Sequence, residues 1–272
     1  MLKWLLLLAG VGLLYFWLKG KKQAKFNREQ SASPKANKPQ TLTEPEVMVQ
    51  CQCCKVYLPK PDAIVYDDRF YCSKEHLNTL DQQGWIGAAD WRASPNKDAR
   101  PENINPDLLV IHHISLPPGE FRNRASSQHI INFFQNTLDA AAHPYFAEIK
   151  DQKVSSHFLI TRAGDLIQFV STRDRAWHAG ASSFMGRERC NDFSIGVELE
   201  GDGDTPFEDV QYTSLARLVQ KLQQSYPNLQ FAGHSDIAPE RKIDPGKYFD
   251  WEKFQKETGI SPDKIPYGLI SR

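Results

Sequence analysis

The stretch Leu108 to Phe121, LLVIHHISLPPGEF, runs a block of apolar residues straight into a pair of histidines. An unbroken apolar run of this length, rich in β-branched residues, predicts a buried strand, and His112 at its end stands on a rigid element. Working outward, Ser156–Ile160, Leu166–Val170 and Phe193–Glu200 are further strand candidates, with Ala163-Gly164-Asp165 as the turn between two of them. Tyr212, Leu215, Leu218, Val219 and Leu222 recur at helical spacing and predict an amphipathic helix over Asp209 to Ser225, with Pro227 beyond its end. A second helix is expected around Ile130 to Leu138. Strands mixed with helices in this order predict an α/β fold, a mixed central β-sheet flanked by helices.

Far downstream, GHSDIAPERKIDPG (Gly233 to Gly246) supplies another His, a Lys and an Asp. His112, His234 and Asp244 could hold a zinc ion through three ligands and leave a fourth position for water, as an open hydrolytic site requires. A chain with eight histidines yields many such sets, so the neighbouring segments have to decide. They are HPYFAEIKDQKVSSHFLI (His143 to Ile160), RAWHAG (Arg175 to Gly180) and GRERCNDFSIGVELEG (Gly186 to Gly201). In this order, from roughly Gly84 to the C-terminus, the segments closely resemble the AmpD-type N-acetylmuramoyl-L-alanine amidases, cytosolic enzymes of peptidoglycan recycling.

The resemblance implies a role for each matching residue. His112, His234 and Asp244 match the family's zinc ligands. Glu198 matches its catalytic base, although strand alternation puts Glu198 and Glu200 on one face and pattern alone does not choose between them. Lys242 matches the residue that stabilises the tetrahedral intermediate. Arg189 matches a position that grips the stem peptide's terminal carboxylate, and a planar bidentate donor suits that task. His113 stands where the family usually has Asn. Trp177 and His178 either line the sugar cleft or simply pack, and FRNRASSQ (Phe121 to Gln128) is longer than the family pattern. Cys190 has no base beside it in the sequence and reads as a buried, inert thiol.

Lys+Arg and Asp+Glu both number 33, so no global basic field points to nucleic acid as a partner. Residues 1–18 form an apolar run at the lower limit for crossing a bilayer, with Trp4, Tyr15, Phe16 and Trp17 as interfacial anchors. Lys19, Lys21, Lys22, Lys25 and Arg28 follow, which by the positive-inside rule predicts a single-pass inner-membrane anchor with the rest of the chain in the cytoplasm. Residues 19–47, rich in Lys, Gln, Ser, Asn and Pro, read as a flexible, disordered linker.

Residues 48–83 hold four of the five cysteines. Cys51 and Cys54 form C-x-x-C, and Cys72 with His76 follows after seventeen intervening residues. That spacing predicts a structural metal site in a module too small to fold on burial alone, with Cys53 as a surplus thiol that could replace Cys54. The segments MVQCQCCKVYLP and FYCSKEH resemble a small bacterial family of membrane-anchored zinc-ribbon-like proteins, and the partner of this module is not written in the sequence. Residues 84–272 complete the chain as the amidase domain. The whole then reads as an enzyme with one catalytic and one structural Zn2+, acting on anhydromuropeptides. The competing readings are a periplasmic amidase acting on intact wall and a muropeptide-binding sensor that has lost catalysis.

Overall fold

The apolar run at Leu108 does form a largely buried strand, and it lies beside the fully buried strand Ser194–Glu200. The computed structural model describes residues 46–121 and 124–268, and the described residues from Val47 onward form one compact unit. Four short strands open it: β1 (Met48–Gln50) pairs with β2 (Tyr57–Pro59), and β3 (Ile64–Tyr66) with β4 (Arg69–Tyr71). Helix α1 (Lys74–Asn78) follows, and then β5 (Asp90–Trp91) and β6 (Lys97–Ala99). The central strand β7 (Leu108–Ile114) leads to helices α2 (Arg124–Phe134) and α3 (Pro144–Ile149). Next come β8 (Phe158–Ile160), β9 (Leu166–Gln168), β10 (Asp174–Ala176), β11 (Ser183–Phe184), β12 (Arg187–Glu188) and β13 (Ser194–Glu200). Helix α4 (Asp209–Ser225), strand β14 (Gln230–Gly233), and helices α5 (His234–Ile237) and α6 (Trp251–Thr258) close the order.

Six of the strands form one mixed sheet in the order β14-β7-β13-β8-β9-β5. All its neighbouring pairs are parallel except the β8–β9 hairpin. Alternation divides the two middle strands cleanly. Leu109 and Ile111 of β7 and Ile195, Val197 and Leu199 of β13 join Leu215, Leu218, Val219 and Leu222 of α4 and Phe254 of α6 in the main core. Leu108 and Val110 pack on the opposite face with Phe184, Cys190 and Phe193. His112 and Glu198 extend these rows on that second face, one from each strand, where no α4 or α6 side chain covers them.

Helix α4 spans the residues its periodicity predicts, Asp209 to Ser225. The helix expected around Ile130 to Leu138 instead runs Arg124–Phe134, since Asn136 takes positive φ and the chain turns there. The segment Trp85 to Asp107 supplies the edge strand β5 and the strand β6, which pairs with β10. Neither short strand has an apolar run or an alternation long enough to be read in advance, unlike Phe158–Ile160 and Leu166–Gln168, which lie inside longer apolar stretches.

The expected inner-membrane location is corrected here. Among the described residues no helix is long and apolar enough to cross a membrane. The apolar run 1–18 and all but the last two residues of the linker 19–47 lie outside the described residues.

Candidate active site

Parallel pairing sets Glu198 of β13 directly opposite His112 of β7, so both side chains leave the sheet on the same side. His234 arrives from the next strand over, as the first residue of α5 after β14. Asp244 comes from the loop beyond α5, whose chain is tied back where Ser235 N–H donates to the Asp244 carbonyl at 2.8 Å. Three atoms converge: Nδ1 of His112, Nδ1 of His234 and Oδ2 of Asp244, each 2.9 Å from the other two.

Which ring nitrogens carry hydrogen follows from the partners behind them. The Ser194 hydroxyl donates to the Cys190 carbonyl at 2.6 Å, so its oxygen accepts from His178 Nε2 at 3.1 Å. His178 then presents a bare Nδ1, which accepts from His112 Nε2 at 2.9 Å. His234 Nε2 donates to the Ala179 carbonyl at 3.1 Å. Both Nδ1 atoms are therefore lone pairs aimed at Asp244. Burial, and then the neighbouring His234, push His112 down to about 4, so that ring is neutral at neutral pH. Three acceptors 2.9 Å apart with no hydrogen between them repel one another unless a cation sits among them, and two imidazoles with a carboxylate form a zinc donor set. The residues fit the metal.

The support behind His112 is built into β13. Gly196 lacks the side chain that would otherwise fill the space of His178, since a Cβ there would lie 2.6 Å from the His178 ring. The loop that carries the Cys190 carbonyl is pinned by Arg100, which donates to the carbonyls of Asn191, Asp192 and Ser194 at 3.0, 3.0 and 2.7 Å. Along one face of β13, Ser194 props His178, Gly196 makes room for it, and Glu198 reaches the metal-binding group. Ser194, Gly196 and Arg100 carry no motif signal of their own.

Glu198 and Glu200, inseparable by pattern, have different surroundings. Glu200 accepts from the hydroxyls of Ser126 and Ser127 at 2.7–2.9 Å and from Arg162 N–H at 2.9 Å, and so is fully occupied as a structural carboxylate. Glu198 is buried, and its Oε2 has no hydrogen-bond partner. Burial, reinforced by the charge of Asp244, pushes the pKa of the Glu198 carboxyl well above the ordinary carboxylate range, while Lys242 works the other way.

A cleft of about 350 Å³ opens on this group, lined by His112, His234 and Asp244 together with Glu198, Lys242, His113 and Trp177. The Lys242 ammonium makes no hydrogen bond or ion pair among the described residues, yet its charge acts on His112 and Glu198. His113 Nε2 is buried without a partner, and its ring lies in the space left by Gly203. A larger cleft of about 1020 Å³ contains Glu200, Asp90 and Arg92 but none of the metal-binding group, so volume does not mark the site. Arg189 is not brought to the metal cleft. It follows β12 in a left-handed conformation, its side chain is 70% exposed and paired with Asp192 at 3.2 Å, and it lines a separate surface pocket with Ser182, Glu188 and Arg241. Cys190 is fully buried, and burial pushes its thiol up.

Fold and site together define a hydrolase of the mixed α/β class, with a two-histidine, one-aspartate group facing a buried glutamate across neighbouring parallel strands. Residues 102–247 match the model of the N-acetylmuramoyl-L-alanine amidase family. The chain belongs to that family, and its amidase domain is of the AmpD type. It is 52% identical over 164 residues to the 1,6-anhydro-N-acetylmuramyl-L-alanine amidase AmpD of Haemophilus influenzae, covering 59% of this chain and 87% of that one. With the Escherichia coli K12 protein of the same description it shares 49% over 183 residues, covering 65% and 98%. A crystal structure of a selenomethionine AmpD derivative, 49% identical, superposes with a TM-score of 0.62 over 65% of this chain and 97% of that one.

Proposed function

We propose that this amidase acts in cell-wall turnover and recycling, cleaving the amide between the lactyl group of N-acetylmuramic acid and the L-alanine of the stem peptide, and that it prefers the 1,6-anhydro sugar. The half-identical relatives that carry this specificity in their names, matched over nearly their whole length, support the substrate. The catalytic reading rests on one observation: Glu198 is buried beside His112 with a carboxylate oxygen that nothing else occupies.

His112, His234 and Asp244 would hold a zinc ion. When bound, it supplies the positive charge that polarises the amide carbonyl and acidifies a water at the same centre. Glu198 takes a proton from the attacking water as the oxygen–carbon bond forms, and returns it to the departing amide nitrogen as the carbon–nitrogen bond breaks. The products are a muramic carboxylic acid and a peptide with a free amino terminus. The unpaired Lys242 ammonium faces the charge that develops on the carbonyl oxygen. Trp177 offers an apolar wall for the sugar, and the unsatisfied His113 Nε2 a polar contact.

The test is Glu198→Gln, assayed for peptide release and for bound metal in one preparation. Loss of turnover by about 10²-fold or more with metal retained is the expected result. Undiminished turnover would remove Glu198 from the mechanism.

A further inference from the structure

The segment before the family-matched residues 102–247 contains a second convergence of ligand atoms. Sγ of Cys51, Cys54 and Cys72 and a ring nitrogen of His76 all lie within 4.8 Å of one another. Cys54 and Cys72 sulfurs are 3.8 Å apart, too far for a disulfide. It is also the edge of a tetrahedron about 3.8 Å long that zinc–sulfur bonds of about 2.3 Å would give. Cys51 Sγ is 3.8 Å and Cys72 Sγ 3.0 Å from His76 Nδ1.

Local structure aims each ligand. After β1 the chain makes a tight turn in which Lys55, at φ 63°, returns its N–H to the Cys51 carbonyl, bringing Cys51 and Cys54 to one side. Ser73 caps α1 through His76 N–H, and the first helical turn carries His76 back over Cys72. Cys53 is not among the converging ligands. The strands of this region are three residues long, and within residues 48–78 only Cys51 and Tyr71 are buried, so apolar burial alone does not hold it.

The same elements grip the amidase sheet at its open edge. Arg69, three residues before Cys72, donates to the Ala89 carbonyl at 3.3 Å and lies 3.7 Å from the ring of Trp91 on edge strand β5. Tyr71 fills the place a side chain at Gly87 would take, 2.7 Å from that missing Cβ. Beyond His76, Asn78 accepts at its carbonyl from Lys221 of α4 at 2.7 Å.

We propose that Cys51, Cys54, Cys72 and His76 form a second, structural zinc site, which clamps residues 48–78 over the exposed edge strand of the amidase sheet. Four protein ligands close the coordination, so this ion does no chemistry. The geometry selects Cys54 and leaves Cys53 out. The proposal is independent of the reading of the catalytic group.

The test loads the full chain with Co2+. Three thiolates on cobalt give an intense sulfur-to-metal charge-transfer band, which the sulfur-free set of His112, His234 and Asp244 does not produce. The band is expected in the unaltered chain and in Cys53→Ser, and lost in Cys54→Ser together with one of two metal equivalents and a drop in Tm of the amidase. Absence of the band in the unaltered chain, or its survival in Cys54→Ser, overturns the site. A Cys54→Ser protein with unchanged Tm overturns the clamp. The first readout stands even where the variant fails to fold.

Discussion

Glu198 and His112 sit opposite each other in register on adjacent parallel strands, both buried and both on the sheet face away from α4. The proposed proton acceptor and the proposed metal ligand are thus spaced by backbone hydrogen bonding and not by loop geometry.

Glu198 and Glu200 should dissociate in opposite directions. Burying an unpaired carboxyl destabilises the chain, so Glu198→Gln is expected to stabilise the metal-free protein at pH 7 by about 1–3 kcal/mol while removing activity. Glu200→Gln discards bonds from Ser126, Ser127 and Arg162 and should cost about 1–3 kcal/mol, leaving turnover of the folded fraction largely intact. Paired thermal melts and assays decide it; two variants moving together would reject the distinction.

Ser194 acts on the metal only through His178. Ser194→Ala removes the acceptor that fixes the His178 tautomer, and should weaken zinc binding at the catalytic group by roughly 10–100-fold, read by chelator competition. Gly196→Ala should weaken it as well, since the added Cβ occupies the place of the His178 ring. Unchanged affinity in both variants would show that the ring orientation is fixed elsewhere.

Lys242→Met tests the unpaired cation. Its loss should lower kcat by roughly 10²–10³-fold with Tm nearly unchanged, because the ammonium has no hydrogen-bond or ion-pair partner among the described residues to lose. A large drop in Tm with kcat preserved would make it a structural residue.

Acid should destabilise the metal-free chain before its carboxylates titrate. His112 falls from about 6.5 unfolded to about 4 folded, and His157 and His178 are lowered in the same direction by burial. A group with a depressed cationic pKa binds its proton more readily when unfolded, so this stability is present above about pH 6.5 and is lost as pH falls toward 4. His112 alone accounts for about 3 kcal/mol, an order-of-magnitude figure. Glu198, shifted upward, works in the opposite sense, so the loss should be steeper in Glu198→Gln. Denaturant titrations at pH 7, 5.5 and 4.5 measure it, and a flat profile would contradict buried neutral histidines.

How far the sequence reached can be judged residue by residue. The buried strand at Leu108, the helix at Asp209 and the convergence of His112, His234 and Asp244 were legible, because each rests on a long apolar pattern or on a motif. The choice between Glu198 and Glu200 was not, since it depends on Ser126, Ser127 and Arg162, which arrive from other elements. The prop of Ser194, Gly196 and His178 was hidden for the same reason: three ordinary residues become a support only when the loop at His178 crosses β13. Arg189 shows the converse, a motif position that the fold carries to another surface. The edge strand Asp90–Trp91 is too short to have a period at all.

The most direct measurement is peptide release by the purified, zinc-loaded full chain, offered anhydromuramyl-peptide and intact sacculi in parallel, with products identified by mass. Release of the free stem peptide from the soluble anhydro substrate, and little from sacculi, is the predicted result. No release from the anhydro substrate, or equal release from sacculi, would contradict the proposed role in wall recycling.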